Sequence, residues 1–156
     1  GGDGAAQAKE VNRDCQGVYV LMGEGELQEG RGWEAAMYAP HNKRDNINAA
    51  VDYNGAQIDG ATKDVLSLGD LRAKWEAFGW DVLDIEKGND MRAILEGLDE
   101  AKSRTGKGKP VMILLHTGMG YGVDFMMGSH KWHGVAPNDE QLASALAQNP
   151  ETLGDY

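Results

Sequence analysis

The feature that most constrains the fold is a series of four short apolar runs, each followed by a longer stretch with helical periodicity or a turn. The runs are residues 18–22, 47–51, 81–85 and 111–115. They are too short for helices and rich in strand-forming residue types. Alternating strands and helices need crossover connections, which produce a parallel sheet covered on both faces. The sequence therefore predicts an α/β fold with a parallel sheet and helices on both faces, in which the first run is a buried strand.

The predicted helices span residues 5–12, 33–41, 68–78, 91–103 and a last segment, capped by Asn138 or Asp139, that ends at 147. Gly79 stands where a C-terminal helix cap belongs. The apolar side chains expected to face inward are, helix by helix, Trp33, Ala36, Met37 and Pro40; Leu68, Leu71, Trp75 and Phe78; and Met91, Ile94, Leu95 and Leu98.

Composition excludes several classes of function. The 156 residues fit a single domain spanning 1–156, and no run approaches the ~20 apolar residues of a membrane span. The formal charge of −10 argues against nucleic acid as a partner. The single cysteine, Cys15, excludes an internal disulfide and suits a reducing cytoplasm. An anionic ligand remains possible if a metal ion or backbone N–H groups supply positive potential.

Glycine, carboxylate and carboxamide groups follow the first two predicted strands. Glu24 and Gly25 follow the first strand, and Asn54 follows the second, thirty residues after Glu24. Parallel sheets bind ligands at the carboxyl ends of their strands. Mg²⁺ or Ca²⁺ prefers such oxygen ligands, Gly25 allows close backbone approach, and a helix starting near Gly30 would favour an anion.

Both segments also have simpler readings. Glu24 and its flanking glycines suit a tight acidic surface turn, and Asn54-Gly55 suits a hairpin turn. Residues 57–60 look too short and polar to form a strong partner strand for that hairpin. This favours the ligand-binding reading at the second strand end.

Residues 18–60 resemble the thiamine-diphosphate motif, a Gly-Asp-Gly followed some thirty residues later by Asn. Six segments match more narrowly: GELQEG, WEAAMYA, VDYNGAQIDG, KWEAFGWDV, GKGKPV and WHGVAPN. Together they resemble the N-terminal, diphosphate-binding domain of a transketolase over about residues 5–142. Six matches in the same order make coincidence a poor explanation.

The resemblance implies roles for residues in the two strand ends. Glu24 and Asn54 would be metal ligands, and Ala56 would contribute its backbone carbonyl. Gly25 would place its backbone against the diphosphate of the cofactor. The implied cofactors are thiamine diphosphate and Mg²⁺, or Ca²⁺ in its place.

Further implied roles lie outside the metal site. His133 would reach the cofactor and the sugar substrate, although a surface histidine is the alternative; His130 is read as an ordinary loop residue. Glu29 and Glu34 match glutamates at the subunit interface that couple two thiamine sites, which makes Glu29 a cofactor-site candidate. Trp33, Trp75 and Trp80 are interpreted as packing residues.

Three departures from the family pattern stand out. Glu24 replaces an aspartate, and its extra methylene would move the carboxylate by ~1.5 Å on a fixed backbone. His116 stands where many relatives have lysine, which would change the charge around the phosphate or substrate. The chain also lacks the family's glycine-rich cofactor loop, several substrate histidines and the pyrimidine-binding domain, so we expect a partial domain that needs a C-terminal partner domain or subunit.

The implied activity is transfer of a two-carbon ketol unit between sugar phosphates, as in the pentose phosphate pathway. A cytoplasmic homo-oligomer or α2β2-type assembly would complete the site. Two alternatives remain open: a catalytically silent relative kept for assembly or regulation, and another thiamine enzyme such as a deoxyxylulose-phosphate synthase or a ketoacid dehydrogenase component. The WEAAMYA and WHGVAPN segments favour transketolase.

Overall fold

The structure is a computed structural model that describes residues 1–11, 17–57 and 59–149. The strands are β1 (Val18–Gly23), β2 (Ile47–Tyr53), β3 (Ala56–Gln57), β4 (Gly60–Ala61), β5 (Asp81–Ile85) and β6 (Val111–His116). The α-helices are α1 (Gly2–Val11), α2 (Gly30–His41), α3 (Thr62–Leu66), α4 (Leu71–Phe78), α5 (Met91–Arg104) and α6 (Asp139–Gln148). Two 3-10 helices span Glu24–Gln28 and His130–Trp132. The predicted helix end at Asn12 and the single cysteine, Cys15, lie outside the described residues.

The main sheet has four strands in the order β1-β2-β6-β5, and every pairing is parallel. This confirms the predicted α/β class. Gly23 lies opposite Asp52, and Tyr53 lies opposite His116. The residues that follow β1, β2 and β6 therefore start at the same edge of the sheet.

The larger core lies between one face of the sheet and the helices α1, α2 and α4. Trp75 packs against Trp33 and Trp80, with ring centroids 5.3 and 5.1 Å apart. Trp80 Nε1 donates to the carbonyl oxygen of Ala36 at 2.8 Å, and Trp33 Nε1 donates to that of Leu27 at 2.7 Å. The aromatic rings therefore pack in the core, and backbone carbonyl oxygens accept the indole N–H groups of Trp33 and Trp80. Both observations agree with a structural role for these residues.

On the other face, among the described residues, α5 packs over β5 and β6. Over β1 this face is open, with Tyr19 58% and Leu21 73% exposed. The prediction of a fully buried first strand is therefore wrong for these two residues, although Val20 packs against the larger core. An all-apolar run does not reveal which strand lies at the sheet edge.

Two inward-facing residues predicted for α5 are also exposed, Met91 at 66% and Leu95 at 55%. The helix instead presents Gly97 to the sheet, so closely that a Cβ there would lie 2.2 Å from Ile85 Cδ1. Arg104 pairs with Asp81 at 2.7 Å. These contacts rotate the helix so that Met91 and Leu95 lie away from the core.

The other helix predictions need smaller corrections. Leu68 is buried but precedes α4, because Gly69 has a φ of +58° and Asp70 caps the helix by accepting from Ala73 N–H at 2.9 Å. Met37 is 53% exposed, and Ala39 takes its place in the core beside Ala36. Gly79 is the αL cap of α4, as predicted. Asn138 caps α6 by accepting from Gln141 N–H at 2.9 Å.

The chain after Asn54 forms a small ribbon in which β3 and β4 are antiparallel, with Gln57 opposite Gly60. The segment 57–60, which looked too short and polar to pair strongly with the second strand, therefore contributes to a ribbon of its own. Asn54-Gly55 precedes this ribbon and does not form its turn. No helix within the described ranges is long and apolar enough to cross a bilayer.

Candidate cofactor site

A cleft of about 420 Å³ lies at the carboxyl ends of β1 and β2. Five of the six predicted site residues line it: Glu24, Gly25, Asn54, Ala56 and His133. They come from the turn after β1, the segment after β2 and the segment that follows the second 3-10 helix. The parallel register brings the strand ends together, and His133 lines the same cleft.

Glu24 starts the 3-10 helix that follows β1, and it is only 4% exposed. Its Oε2 accepts the N–H of Gly55 at 2.5 Å. Burial raises the pKa of the Glu24 carboxyl, while the hydrogen bond from the Gly55 N–H partly offsets this effect. The longer side chain therefore reaches across to the end of β2 and links the two strand ends.

Asn54 is held in a fixed orientation by two hydrogen bonds. Its Oδ1 accepts the N–H of Ala56 at 3.0 Å, and its Nδ2 donates to Asp52 Oδ2 at 3.2 Å. The other oxygen of Asp52 accepts the hydroxyl of Thr117. Sequence reasoning missed Asp52 and Thr117. The spacing from Asp52 to Asn54 was a usable signal, because residues two apart lie on the same face of a strand.

The residues present fit a hard divalent cation. Glu24 keeps a second carboxylate oxygen, Asn54 Oδ1 keeps a lone pair, and Ala56 offers a backbone carbonyl, all along one cleft. In residues 1–11, 17–57 and 59–149, no group of three or more His, Cys, Asp or Glu side chains could hold a metal ion. A cation here would therefore rely on mixed oxygen ligands completed by phosphate, which is the usual environment of Mg²⁺.

The backbone at Gly25 lies close to the ribbon. A Cβ at this position would lie 3.4 Å from Gln57 Oε1 and 3.7 Å from Gln57 Cβ. These are ordinary contact distances, and the predicted need for glycine beside a diphosphate stays a prediction. The N-terminus of α2 at Gly30 is not among the residues that line this cleft, so the structure does not support its predicted contribution.

His133 also lines a second cleft of about 550 Å³, whose other walls include Asn54, Asn89 and residues 117–120. Its N–H donates to the carbonyl of His130 at 2.9 Å. The neighbouring Trp132 packs edge-on against Phe125, with ring centroids 5.3 Å apart, and donates to its carbonyl. The aromatic pair thus supports the segment that carries His133 between the two clefts.

His116 does not line either of these clefts. Its Nε2 bonds to Asp84 Oδ1 at 2.9 Å, and its ring packs against Tyr53 with centroids 5.2 Å apart. Asp84 also accepts from Arg72 Nε at 2.5 Å. The β6 strand directs this side chain to the face that carries Asp84, and the expected change of charge around a bound ligand stays a prediction.

The two remaining candidates lie elsewhere. Glu29 is exposed before α2 and pairs with Arg31 at 2.7 Å, and Glu34 is exposed on α2. Neither is among the residues that line the two clefts. Their predicted role at a subunit interface stays a prediction. His130 lines a smaller cleft of about 300 Å³ beside Asn54 and Gly118.

Similarity to known proteins identifies the family of this chain. Residues 5–151 match the family model described as "Transketolase, thiamine diphosphate binding domain". The chain belongs to the transketolase family. This confirms the predicted resemblance and makes the chain a member of a family of transferases. The match extends beyond the 5–142 expected from the sequence motifs.

Similar transketolase subunits come from several bacteria. One subunit of the apulose-4-phosphate transketolase of Phocaeicola vulgatus is 40% identical over 152 residues, which is 97% of this chain and 53% of that protein. The 6-deoxy-6-sulfo-D-fructose transketolase subunit SqwG of a Clostridium species is 38% identical, covering 93% of this chain and 52% of that protein. The chain thus spans about half the length of these relatives.

A solved transketolase has the same fold. The structure of Pichia stipitis transketolase in complex with sedoheptulose-7-phosphate aligns with a TM-score of 0.83 at 28% identity. The alignment covers 94% of this chain and 23% of that protein. The parallel sheet and its helices therefore correspond to one part of a longer transketolase.

Proposed function

We propose that this chain provides the metal- and diphosphate-binding part of a thiamine-diphosphate site that transfers two-carbon ketol units between sugar phosphates. The observation that carries the proposal is the single cleft that gathers Glu24, Gly25, Asn54, Ala56 and His133. Family membership supports the choice of cofactor. The oxygen donors support Mg²⁺, or Ca²⁺ in its place.

Each residue has a specific task in this proposal. Glu24, Asn54 and the carbonyl of Ala56 hold the cation, which neutralises the diphosphate. Gly25 leaves room for a phosphate oxygen beside its backbone. His133, which lines both clefts, hydrogen-bonds to substrate hydroxyl groups. Bound thiamine diphosphate would supply the nucleophilic carbon for breaking the ketose C2–C3 bond, while the protein orients the reactants.

The remainder of the site would come from further transketolase sequence, supplied by a partner domain or a separate partner chain. Two of the similar proteins are named as subunits, which supports a split enzyme. We propose a cytoplasmic homo-oligomer or α2β2-type assembly in which Glu29 and Glu34 lie at the interface between subunits. Their exposure on and beside α2 leaves them accessible for such contacts.

Titration of thiamine diphosphate in the presence of Mg²⁺ tests the site directly. Isothermal titration should show metal-dependent binding to the wild-type chain assembled with a transketolase C-terminal partner, and each variant is measured in the same assembly. Glu24→Gln or Asn54→Leu should weaken it by about 10-fold or more, since loss of one ligand typically costs at least 1.4 kcal/mol. Asp59→Asn is the matched control, because Asp59 lines the same cleft without a proposed ligand role. Equal affinity in all four proteins would reject the assignment.

Ketol transfer needs a separate assay. The chain should be assayed with a xylulose 5-phosphate donor and a ribose 5-phosphate acceptor, with and without a transketolase C-terminal partner. We expect transfer in the assembly only. Transfer by the isolated chain would refute the requirement for a partner, and absence of transfer in a correctly assembled, cofactor-bound complex would refute the activity.

The burial of Glu24 favours a second candidate, a catalytically silent relative. At 4% exposure, with Oε2 accepting the N–H of Gly55, the carboxylate has a structural role in linking the two strand ends. Glu24→Asp separates the two functions. Weaker cofactor binding in this variant would indicate that the turn has adapted to glutamate, whereas stronger binding would indicate that glutamate impairs the site.

A further inference from the structure

The short turn between β5 and α5 contacts the end of β6 at two points. The N–H of Gly88 donates to the carbonyl oxygen of His116 at 2.9 Å. The side-chain Oδ1 of Asn89 accepts the N–H of Gly118 at 2.7 Å. The two bonds end on either side of Thr117, so the turn holds the beginning of the loop that follows β6.

The turn itself is well anchored. The N–H of Asp90 donates to the carbonyl of Lys87 at 2.9 Å, and Asp90 Oδ1 caps α5 by accepting from Arg92 N–H at 2.9 Å. Gly88 is buried, and a Cβ there would lie 2.6 Å from the His116 carbonyl oxygen. Glycine is therefore the residue that allows the turn to approach β6 this closely.

The loop held by this turn forms part of the ligand site. Residues 117–120 line the 550 Å³ cleft together with Asn54, His133 and Asn89 itself. Gly118 and Gly120 give this stretch more backbone freedom than other residues would, and Gly120 has a φ of +71°. A loop of this composition needs external contacts to keep one position. Thr117 bonds to Tyr53 and Asp52, and Asn89 adds the bond that holds Gly118.

We propose that Asn89 is a positioning residue for this site, whose carboxamide oxygen fixes the Gly118 amide and with it the cleft wall formed by residues 117–120. The inference rests on the proposed function, because it assigns the wall to the thiamine-diphosphate and sugar-phosphate site. Asn89 and Gly118 are 29 residues apart in the chain, and their hydrogen bond joins the loops that follow two neighbouring strands.

Three variants test this role. Asn89→Ala removes the acceptor, Asn89→Asp keeps an acceptor oxygen, and Lys87→Ala changes an exposed side chain of the same turn as the control. The readouts are hydrogen exchange at the Gly118 amide, measured by NMR, and the affinity for thiamine diphosphate with Mg²⁺. Asn89→Ala should speed exchange about 10-fold, as expected for loss of one hydrogen bond, and weaken affinity ~3- to 10-fold.

Rescue distinguishes positioning from general destabilisation. Asn89→Asp should restore slow exchange at Gly118, and Lys87→Ala should leave both readouts at wild-type values. Should Asn89→Ala fail to fold, Asn89→Gln gives a milder second perturbation, since it keeps the carboxamide but displaces its oxygen by one methylene and should also speed exchange at Gly118.

Several outcomes would overturn the inference. These are unchanged Gly118 exchange in Asn89→Ala, fast exchange without loss of cofactor affinity, and failure of Asn89→Asp to restore protection. A wild-type chain that binds no thiamine diphosphate even when assembled with its transketolase partner would reject the proposed function, and with it the cofactor part of this role. The Gly118 exchange data would then still show separately whether Asn89 holds the loop.

Discussion

The two faces of the sheet are stabilised very differently. On one face, α1, α2 and α4 cover a continuous core built around Trp75, which is 2% exposed. On the other, α5 covers β5 and β6 within the described residues, and Leu21 of β1 stays 73% exposed. Leu21 also lines the cleft shared with Asn54 and His133. The covered face therefore holds the strands in place, while the open face leads directly into the candidate site.

The largest expected effect on stability comes from a substitution on the covered face, which is the side of the sheet that α1, α2 and α4 pack against. Trp75→Ala would leave a cavity between α4 and the sheet and remove the ring contacts to Trp33 and Trp80. We expect a loss of about 3–5 kcal/mol in the free energy of unfolding. Urea denaturation followed by circular dichroism measures it. A loss below ~1 kcal/mol would contradict the idea that this face carries most of the stability.

The sequence predicted the covered face well because its signals are local. Helical spacing found α4 and its Gly79 cap, and apolar runs located the four parallel strands. The open half of the other face was not predictable, since the apolar run of β1 looks the same whether both faces are buried or one. Strand order decides this, and strand order is set by long-range pairing.

The residues of the candidate site also differ in whether the sequence predicted them. The family motif located Glu24, Asn54 and His133, which line one cleft. It did not find Asp52, although the spacing from Asn54 was a usable signal, and it did not find Asn89, whose importance comes from its hydrogen bond to Gly118 in another loop. Side-chain bonds between separate loops depend on geometry that spacing along the chain does not encode.

The next effect concerns the polar cluster at the carboxyl end of the covered face. Burial would raise the pKa of Asp84, but the hydrogen bonds from His116 and Arg72 outweigh this and hold the pKa below its ordinary value. Such a carboxylate adds stability above an unfolded-state pKa of about 3.9, and this stability is lost as the pH falls through the lower folded-state pKa. Asp84→Asn should therefore cost ~1–2 kcal/mol near neutral pH.

Thermal unfolding from acid to neutral pH measures this difference. The curves of wild type and Asp84→Asn should converge in acid, where both side chains are neutral. Glu76→Gln is the control, because Glu76 pairs with the same Arg72 but is half exposed and should change stability by less than ~0.5 kcal/mol. A cost for Asp84→Asn that grows as the pH falls would have the wrong sign for a depressed pKa.

Two Gly→Ala substitutions, one on α5 and one on α2, test how closely α5 packs on the second face of the sheet. Gly97→Ala places a methyl group against Ile85, and we expect a net loss of about 1 kcal/mol because the clash outweighs the gain in helix propensity. In Gly32→Ala, on α2, the added Cβ meets no atom within 4 Å and should stabilise by up to about 1 kcal/mol. Melting temperatures of the two variants should move in opposite directions. A rise in the melting temperature of Gly97→Ala would show that α5 does not depend on close contact at Gly97.

The smallest effect is expected on the open half of the sheet. Leu21→Ser changes a side chain that is already 73% exposed, so stability should change by less than ~0.5 kcal/mol. Val20→Ser, one residue earlier on the same strand but packed against the covered core, should cost more than ~1 kcal/mol. Comparing both by urea denaturation tests the two faces on a single strand at the same edge of the sheet. A large loss for Leu21→Ser would mean that this side chain is buried in the folded protein in solution, and the contrast between the two faces would then be wrong.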